Sequence, residues 1–312
     1  MQKLIIEVAI NENLTSDDHP HVPITPDEIA QEAYDCWNAG ASIVHVHARD
    51  PETGEHRPED AELYAQAMEK IRARCDIIAY PTQAYTRDVD AVNPHIRALA
   101  GDPRARLETA FMFVGSGGWG TTRTGAMGRS VAGDTLTDSG DPRDPIAFLT
   151  FCKETGVKPK FVVYEPGSLR HLLACRDAGL IDDPIACHLR LHDRSTFGPT
   201  PDARGLFSFL DVVPAGVPFE WFVHPLDLVD DRLHFQLNAI AVAAGGHART
   251  GIGDQLLCFG APETNPQMVE RMVEMAGLTG RDVASPAEAR VILGMHRDFA
   301  ENSIPEPTEA HQ

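Results

Sequence analysis

Short apolar runs rich in β-branched residues alternate with longer amphipathic runs along most of this chain. Apolar runs of this length, bounded by turn residues, are typical of buried β-strands. The pattern predicts eight strands, at Leu4–Ala9, Ser42–His47, Asp76–Tyr80, Leu107–Phe113, Lys160–Tyr164, Pro184–Leu189, Phe219–Val223 and Gly246–Ile252.

Amphipathic runs between these strands predict helices. The first begins at Thr25, where a cap residue precedes Pro26 and two acidic residues, and it ends near Ala39, just before a glycine. The same periodicity predicts further helices at Pro58–Arg74, Gly167–Ala178, Asp231–Ala244, Asn265–Ala276 and Ser285–Phe299.

Alternating strands and helices over about 300 residues favour an α/β fold, a (β/α)₈ TIM barrel, with a doubly wound sheet as the alternative. We expect residues 1–300 to form one barrel domain. Residues 115–145, rich in Gly, Thr, Arg and Asp, interrupt the alternation and predict a loop insertion near the active site. The polar residues 301–312 predict a C-terminal tail outside the barrel.

Composition and charge narrow the classes of partner. The 312 residues are 43% hydrophobic and 23% charged, and the formal net charge is −19. A strongly acidic surface disfavours nucleic acid and anionic membranes as partners. The N-terminal segment lacks the features of a signal peptide, and the six cysteines form no CxxC pair, so we expect a cytoplasmic protein with reduced thiols.

The most unusual feature of the pattern is a pair of histidines, His45 and His47, inside an otherwise apolar strand. Residues two apart on a strand point to the same side, so both imidazoles project together. The pair could be half of a metal site, an acid/base pair or a hydrogen-bonded polar cluster, and the spacing alone leaves these possibilities open.

Other polar residues follow the ends of the predicted strands. In a barrel these ends meet at one rim, where active sites form. The residues concerned are Asn11, Glu12, Arg49, Asp50, Thr82, Gln83, Ser116, Glu165, His188, His192, His224, Arg249 and Asp254.

Several longer stretches together resemble the β-keto acid cleavage enzymes, typified by the 3-keto-5-aminohexanoate cleavage enzyme of lysine fermentation. They are VPITPDEIA from Val22, AGASIVHVHARDPETGE from Ala39, VYEPGSLRHLL from Val163, GGHARTGIGD from Gly245, and the terminal segment containing SPAEAR. The resemblance covers about residues 4 to 294.

This resemblance implies a (β/α)₈ barrel, usually a homotetramer, that binds one divalent metal, normally Zn²⁺. The implied reaction is a Claisen-type exchange, in which a β-keto acid and acetyl-CoA give acetoacetate and a new acyl-CoA. By position, His45 and His47 match the metal-binding histidines. Arg249 and Asp254 match the active-site arginine and the aspartate of the acid/base step, and Glu12 lies near the family's N-terminal glutamate.

Two departures from the family pattern concern the site. Gly253 stands where the family carries a third metal ligand, a glutamate, so water, Glu12, His224 or substrate oxygens would have to complete the metal shell. Thr82 stands in a Pro-Thr-Gln-Ala stretch that replaces the family's Ser-Thr-Gly-Gly turn, and it could supply a catalytic hydroxyl.

The partners implied are therefore a small β-keto acid and acetyl-CoA, with a homo-oligomer, a tetramer or dimer, expected. Arg249, Ser116 and Glu165 are the residues we expect to contact substrate. Two other functions stay open. One is a mononuclear amidohydrolase-like hydrolase, although those enzymes carry the HxH pair on the first strand. The other is a non-catalytic descendant that binds a metabolite.

Overall fold

The computed structural model describes residues 2–83, 92–114, 145–193, 198–226 and 228–295, together with the backbone of 116–119, 123–124, 130–131, 136–139 and residue 144. Eight of its strands are parallel and form two four-stranded sheets. In chain order these eight are β1 (Ile6–Ala9), β2 (Ile43–Val46), β3 (Ile78–Pro81), β4 (Thr109–Val114), β9 (Lys158–Val163), β10 (Ile185–Leu191), β11 (Phe219–Pro225) and β12 (Ala248–Thr250).

The two sheets lie edge to edge and together form the wall of a (β/α)₈ barrel. Their orders are β12-β1-β2-β3 and β11-β10-β9-β4. Between β11 and β12, His247 donates its backbone N–H to Trp221 and accepts from the N–H of Val223. Between β3 and β4, the rings of Tyr80 and Phe111 meet edge to face at 5.9 Å between centroids. The α/β barrel expected from the alternation is confirmed.

At least one helix follows each barrel strand in the chain, and two described helices follow the last strand. Within the described residues they are α1 (Pro26–Ala39), α2 (Ala61–Arg72), α3 (Pro94–Gly101), α4 (Asp144–Thr155), α5 (Pro166–Asp177), α6 (Ala203–Leu210), α7 (Arg232–Ala244), α8 (Asn265–Leu278) and α9 (Pro286–Leu293). The Thr25 hydroxyl and the Glu28 carboxylate form a capping box at the start of α1, where the sequence predicts a cap residue. None of the described helices is both long and apolar enough to cross a membrane.

Some boundaries and elements differ from the sequence prediction. Helices α3, α4 and α6 were not predicted, because α3 and α6 are only eight residues long and α4 is apolar on most of its surface. The last helix ends at Leu293 rather than Phe299, since Gly294 adopts a left-handed conformation with φ 64°. Strand β11 extends to Pro225, so His224 lies inside a strand and does not follow it.

The segment predicted as a loop insertion contains four short strands in the described part. They are β5 (Ser116–Trp119), β6 (Arg123–Thr124), β7 (Ser130–Val131) and β8 (Leu136–Ser139), with β5 antiparallel to β8 and β6 to β7. The predicted tail, residues 301–312, lies outside the described residues. The division into one domain and a tail stays a prediction.

Candidate active site

Charged side chains fill the inside of the barrel. Glu7 on β1 is fully buried and accepts hydrogen bonds from Lys160 of β9 at 2.5 Å and from the Tyr80 hydroxyl. His188 of β10 lies 3.2 Å from the same carboxylate. Burial alone would raise the pKa of Glu7, yet His188, Lys160 and Arg249 hold that pKa well below its usual range. The barrel floor is therefore an ionised and densely hydrogen-bonded cluster.

Arg249 links this floor to the rim. Its Nε and Nη2 bind both oxygens of Asp254, at 2.9 and 3.0 Å, and Nη2 also donates to Glu12 at 3.1 Å. Its Nη1 donates to the Tyr80 hydroxyl at 2.9 Å and to Glu7. A guanidinium has five N–H donors, so these contacts use all of them. Binding of a substrate carboxylate by Arg249, as the sequence predicts, would require one of these partners to move away.

The turn after β12 places Asp254 against this arginine. Gly251 has φ 122°, and a Cβ there would lie 2.2 Å from the carbonyl oxygen of Ala9, so only glycine allows the chain to approach β1. Gly253 then donates its N–H to the Ala9 oxygen at 3.0 Å. Burial raises the pKa of Asp254, which makes its carboxylate a stronger base.

Three potential metal ligands converge beside Arg249. The Nε2 atoms of His45 and His47 are 3.1 Å apart, and they lie 3.3 and 2.9 Å from the two oxygens of Glu12. These three residues form the group that could hold a metal ion within the described residues. A tetrahedral ion with ligands at about 2.0–2.1 Å separates those ligands by about 3.3 Å, so the spacing of the three donors fits zinc.

The protonation states also suit a metal. Burial lowers the pKa of His45 to about 4, which leaves its imidazole neutral at pH 7. Burial works to raise the pKa of Glu12, yet the two histidines beside it hold that pKa well below its usual range. His56 lies behind the site, with its Nε2 at 2.9 Å from Nδ1 of His47, where it can fix the orientation of a ligating ring.

Glu12 reaches this position through an unusual backbone conformation. Its φ is 40°, in the left-handed region that non-glycine residues seldom adopt. Asn11 holds the strand ends together, since its amide group bonds both the N–H and the carbonyl oxygen of His47 at 2.9 Å. Arg49 donates to the backbone carbonyls of Asn11 and Leu14 on either side of Glu12. The buried side chains of Asn11 and Arg49 therefore both fix the loop that carries Glu12.

The structure also accounts for the missing glutamate at position 253. A Cβ on Gly253 would lie 2.5 Å from Cγ of Glu12, so the Glu12 side chain occupies the space in front of the glycine. A carboxylate is therefore present beside the two histidines, but it comes from the loop after β1 and not from the loop after β12.

The remaining predicted residues lie apart from these ligands. His224 is buried on β11, with Nε2 at 3.3 Å from an oxygen of Asp254, and it does not belong to the three-residue metal group. Thr82 is buried at the rim and donates to the neighbouring Gln83 carbonyl at 3.4 Å. Glu165 accepts from the Gly198 N–H at 3.0 Å, which ties together two loops. Ser116 begins β5, and its side chain lies outside the described residues.

Comparison with known proteins adds the reaction class. A family model described as beta-keto acid cleavage enzyme matches residues 3–295. The chain belongs to the β-keto acid cleavage enzyme family. It is 29% identical over 304 residues to a 3-keto-5-aminohexanoate cleavage enzyme of Fusobacterium nucleatum, covering 95% of this chain and 100% of that one.

Other members of this family carry different substrates in their names. The chain is 27% identical to the 3-oxoadipate:acetyl-CoA acetyltransferase of Cupriavidus necator, covering 94% of this chain and 95% of that one. Among solved structures, ObcA in complex with oxaloacetate superposes with a TM-score of 0.68 at 15% identity, covering 88% of this chain and 68% of that one. The last likeness supports the fold alone.

Proposed function

We propose that the protein catalyses the exchange of a β-keto acid with acetyl-CoA, giving acetoacetate and a new acyl-CoA. The observation that carries this proposal is the pairing of two groups at one barrel rim. One is the converging set of Glu12, His45 and His47, and the other is the Arg249–Asp254 ion pair beside it. The family match over nearly the whole chain supports the same reaction.

Glu12, His45 and His47 would hold the divalent metal, which we propose to be Zn²⁺. When bound there, such an ion supplies a Lewis acid for the keto and carboxylate oxygens of the substrate. The chain's own contribution is to keep the His45 imidazole neutral and the Glu12 carboxylate ionised, which are the forms that bind metal. His56 would stabilise the ligating orientation of His47.

Asp254 would act as the base. Its carboxylate takes a proton from C2 of the β-keto acid, and Arg249 keeps it oriented through two hydrogen bonds. The C2 carbon then bonds to the acetyl carbonyl carbon of acetyl-CoA, and the CoA sulfur leaves as thiolate. That thiolate attacks C3, the C2–C3 bond breaks to release acyl-CoA, and Asp254 returns the proton to C2 of acetoacetate.

A cytoplasmic location and a homo-oligomeric state are further parts of this proposal. The homo-oligomer is expected from the resemblance to the family. Light scattering on the purified protein checks the expected dimer or tetramer, and a monomer at micromolar concentration would contradict it.

Metal content and turnover together test the proposed function. We expect about one zinc per chain in the wild type and loss of both metal and acyl-CoA formation in the double variant His45→Ala/His47→Ala. Asp254→Asn is the matched variant, because it should keep the metal while losing turnover. Hydrolysis of the substrate without acetyl-CoA would instead support an amidohydrolase-like reaction, and metabolite binding without either reaction would support the non-catalytic alternative.

A further inference from the structure

Tyr80 contacts both parts of the candidate site. It is fully buried on β3 and is the register partner of His45 on β2, so the two side chains lie next to each other inside the barrel. Its ring packs against His45, a proposed metal ligand. Its hydroxyl accepts a hydrogen bond from Arg249, which in turn holds the proposed base Asp254. Tyr80 therefore links the metal ligands to the ion pair.

His45 lacks the hydrogen bond that usually fixes a ligating imidazole. A metal-binding histidine commonly uses its second ring nitrogen to donate to a neighbouring group, and that bond sets the orientation of the ring. His47 has such a neighbour, because its Nδ1 lies 2.9 Å from Nε2 of His56. Nδ1 of His45 is buried and has no hydrogen-bond partner among the described residues. Another contact has to hold this ring.

The ring of Tyr80 supplies that contact. The ring centres of His45 and Tyr80 are 4.7 Å apart and their planes are inclined by 29°, which is a stacked arrangement. Phe111 packs against both rings from the side, since its ring meets those of His45 and Tyr80 edge to face at 5.6 and 5.9 Å. Packing on one flat face and one edge restricts rotation of the imidazole, so it can replace the missing hydrogen bond.

The Tyr80 side chain is itself held in one orientation. Nζ of Lys160 lies 3.8 Å from the centre of its ring. The hydroxyl donates its only hydrogen to Glu7 and accepts from Nη1 of Arg249 at 2.9 Å. Burial raises the pKa of Tyr80 well above its usual range, which keeps this hydrogen on the oxygen. The hydroxyl therefore has no donor left for a substrate, and the contacts point to a positioning role.

The hydroxyl acts on the base through Arg249. Nε and Nη2 of Arg249 bind the two oxygens of Asp254 at 2.9 and 3.0 Å, whereas Nη1 donates to Tyr80 and Glu7. A guanidinium is planar and rigid, so a contact that fixes Nη1 also fixes the edge that faces Asp254. Loss of the hydroxyl would remove one of the two contacts at Nη1, and the plane that orients Asp254 could then rotate.

We propose that Tyr80 positions both parts of the site. Its ring holds His45 in the orientation that binds metal. Its hydroxyl holds Arg249 and, through it, Asp254. The second half rests on the proposed function, because it assumes that Asp254 is the base of the reaction. The first half requires only that a metal is bound at His45, and the two halves can be tested separately because phenylalanine keeps the ring and lacks the hydroxyl.

Two variants of Tyr80 and one control test the proposal. Tyr80→Phe removes the hydroxyl alone. Tyr80→Met removes the ring as well, and its flexible side chain fills part of the space. Tyr64→Phe is the matched control, because Tyr64 is also a buried tyrosine and its hydroxyl bonds neither Glu7 nor Arg249. Melting temperatures establish that each variant is folded.

Zinc affinity, measured by chelator competition, tests the ring. We expect Tyr80→Met to bind zinc about 10–100-fold more weakly than the wild type, which is the range for groups that orient a metal ligand. Tyr80→Phe and Tyr64→Phe should stay within about threefold of the wild type. An unchanged affinity in Tyr80→Met would overturn the first half. A loss of about tenfold or more in Tyr80→Phe would also overturn it, even if Tyr80→Met does not fold.

Steady-state kinetics of the zinc-loaded proteins test the hydroxyl. Tyr80→Phe should lower kcat about tenfold and leave KM for the β-keto acid within about threefold, because the metal binds the substrate and Asp254 acts in the proton transfer. An unchanged kcat, or a raised KM with unchanged kcat, would overturn the second half. A wild type that binds zinc and turns over no β-keto acid would contradict the proposed function and the second half with it, whereas the zinc affinities would still decide the first half.

Discussion

Replacing Lys160 by methionine would remove one of the two buried cations that neutralise Glu7. Lys160 and Glu7 are 1% and 0% exposed, and their charged atoms are 2.5 Å apart. Burial lowers the pKa of Lys160 to about 8, because the charged ammonium group loses its contact with water. This loss offsets the attraction between Lys160 and Glu7, so the ion pair is not a net source of stability. The effect of Lys160→Met comes from Glu7, which keeps its charge and loses a partner.

The expected loss follows from this buried charge. Removing one partner of a buried ion pair costs about 3–5 kcal/mol of unfolding free energy. Adding Glu7→Gln should recover most of this loss, because the amide oxygen still accepts from Tyr80 and Arg249 keeps both oxygens of Asp254. Lys3→Met is the matched control, since its ion pair with Glu288 is about 40% exposed on both sides and should contribute about 0–1 kcal/mol.

Urea unfolding of the four proteins measures these differences, with the midpoint and slope fitted separately. Unfolding of Lys160→Met within about 1 kcal/mol of the wild type would contradict this expectation, and so would a double variant that is no more stable than the single one. Either result would mean that Glu7 does not depend on Lys160 for its neutralisation.

Three further predictions concern the contact between Gly253 and Glu12, the contact between His56 and His47, and the pH dependence of stability. Gly253→Glu should lower the zinc content because its side chain meets Glu12, whereas Gly253→Glu/Glu12→Gly should restore it, as elemental mass spectrometry checks. His56→Ala should weaken zinc affinity about 10–100-fold in a chelator competition, and an unchanged affinity would exclude a role for the hydrogen bond to His47. Burial lowers the pKa of His234 to about 4 in the folded protein, against about 6.5 in an unfolded chain. Between about pH 4 and pH 6.5 the unfolded state therefore binds a proton at His234 that the folded state does not bind. The contribution of His234 to the unfolding free energy should therefore fall by up to about 1.4 kcal/mol per pH unit as pH drops from 6.5 to 4, and His234→Asn should reduce the slope of the whole protein by that amount.

The strands and the shared orientation of His45 and His47 could be predicted from the sequence, because both depend only on the order of neighbouring residues. Alternation along a strand decides that His45 and His47 face the same side, and the barrel topology places the strand ends at one rim. The structure places this pair at the second strand and not at the first strand, where amidohydrolases are expected to carry it.

The charged floor could not be predicted, because its members look unremarkable in sequence. Glu7 is one acid in an apolar run, and its partners Lys160 and Arg249 lie 153 and 242 residues away along the chain. The available signal was the position of Glu7 at the centre of a buried strand, where an ionised group needs a partner. The role of Glu12 depends on a left-handed backbone conformation that no pattern of residue types reveals.

The inward positions of Arg190 and His224 on the barrel wall were not predicted, because the predicted strands were too short. The predicted strands ended at Leu189 and Val223, one residue before Arg190 and His224. The structure extends β10 and β11 by two residues each, which turns both from loop residues into inward-facing members of the barrel wall.

The most direct test of the proposed reaction follows the carbon atoms. The metal-loaded protein is incubated with a β-keto acid that it turns over and with acetyl-CoA carrying ¹³C in both acetyl carbons, and the products are identified by mass spectrometry, with Asp254→Asn as the control. We predict acetoacetate heavier by two mass units, formed in equal amount to an unlabelled acyl-CoA, and neither product with the variant. Unlabelled acetoacetate, or loss of the β-keto acid without any new acyl-CoA, would contradict the exchange reaction.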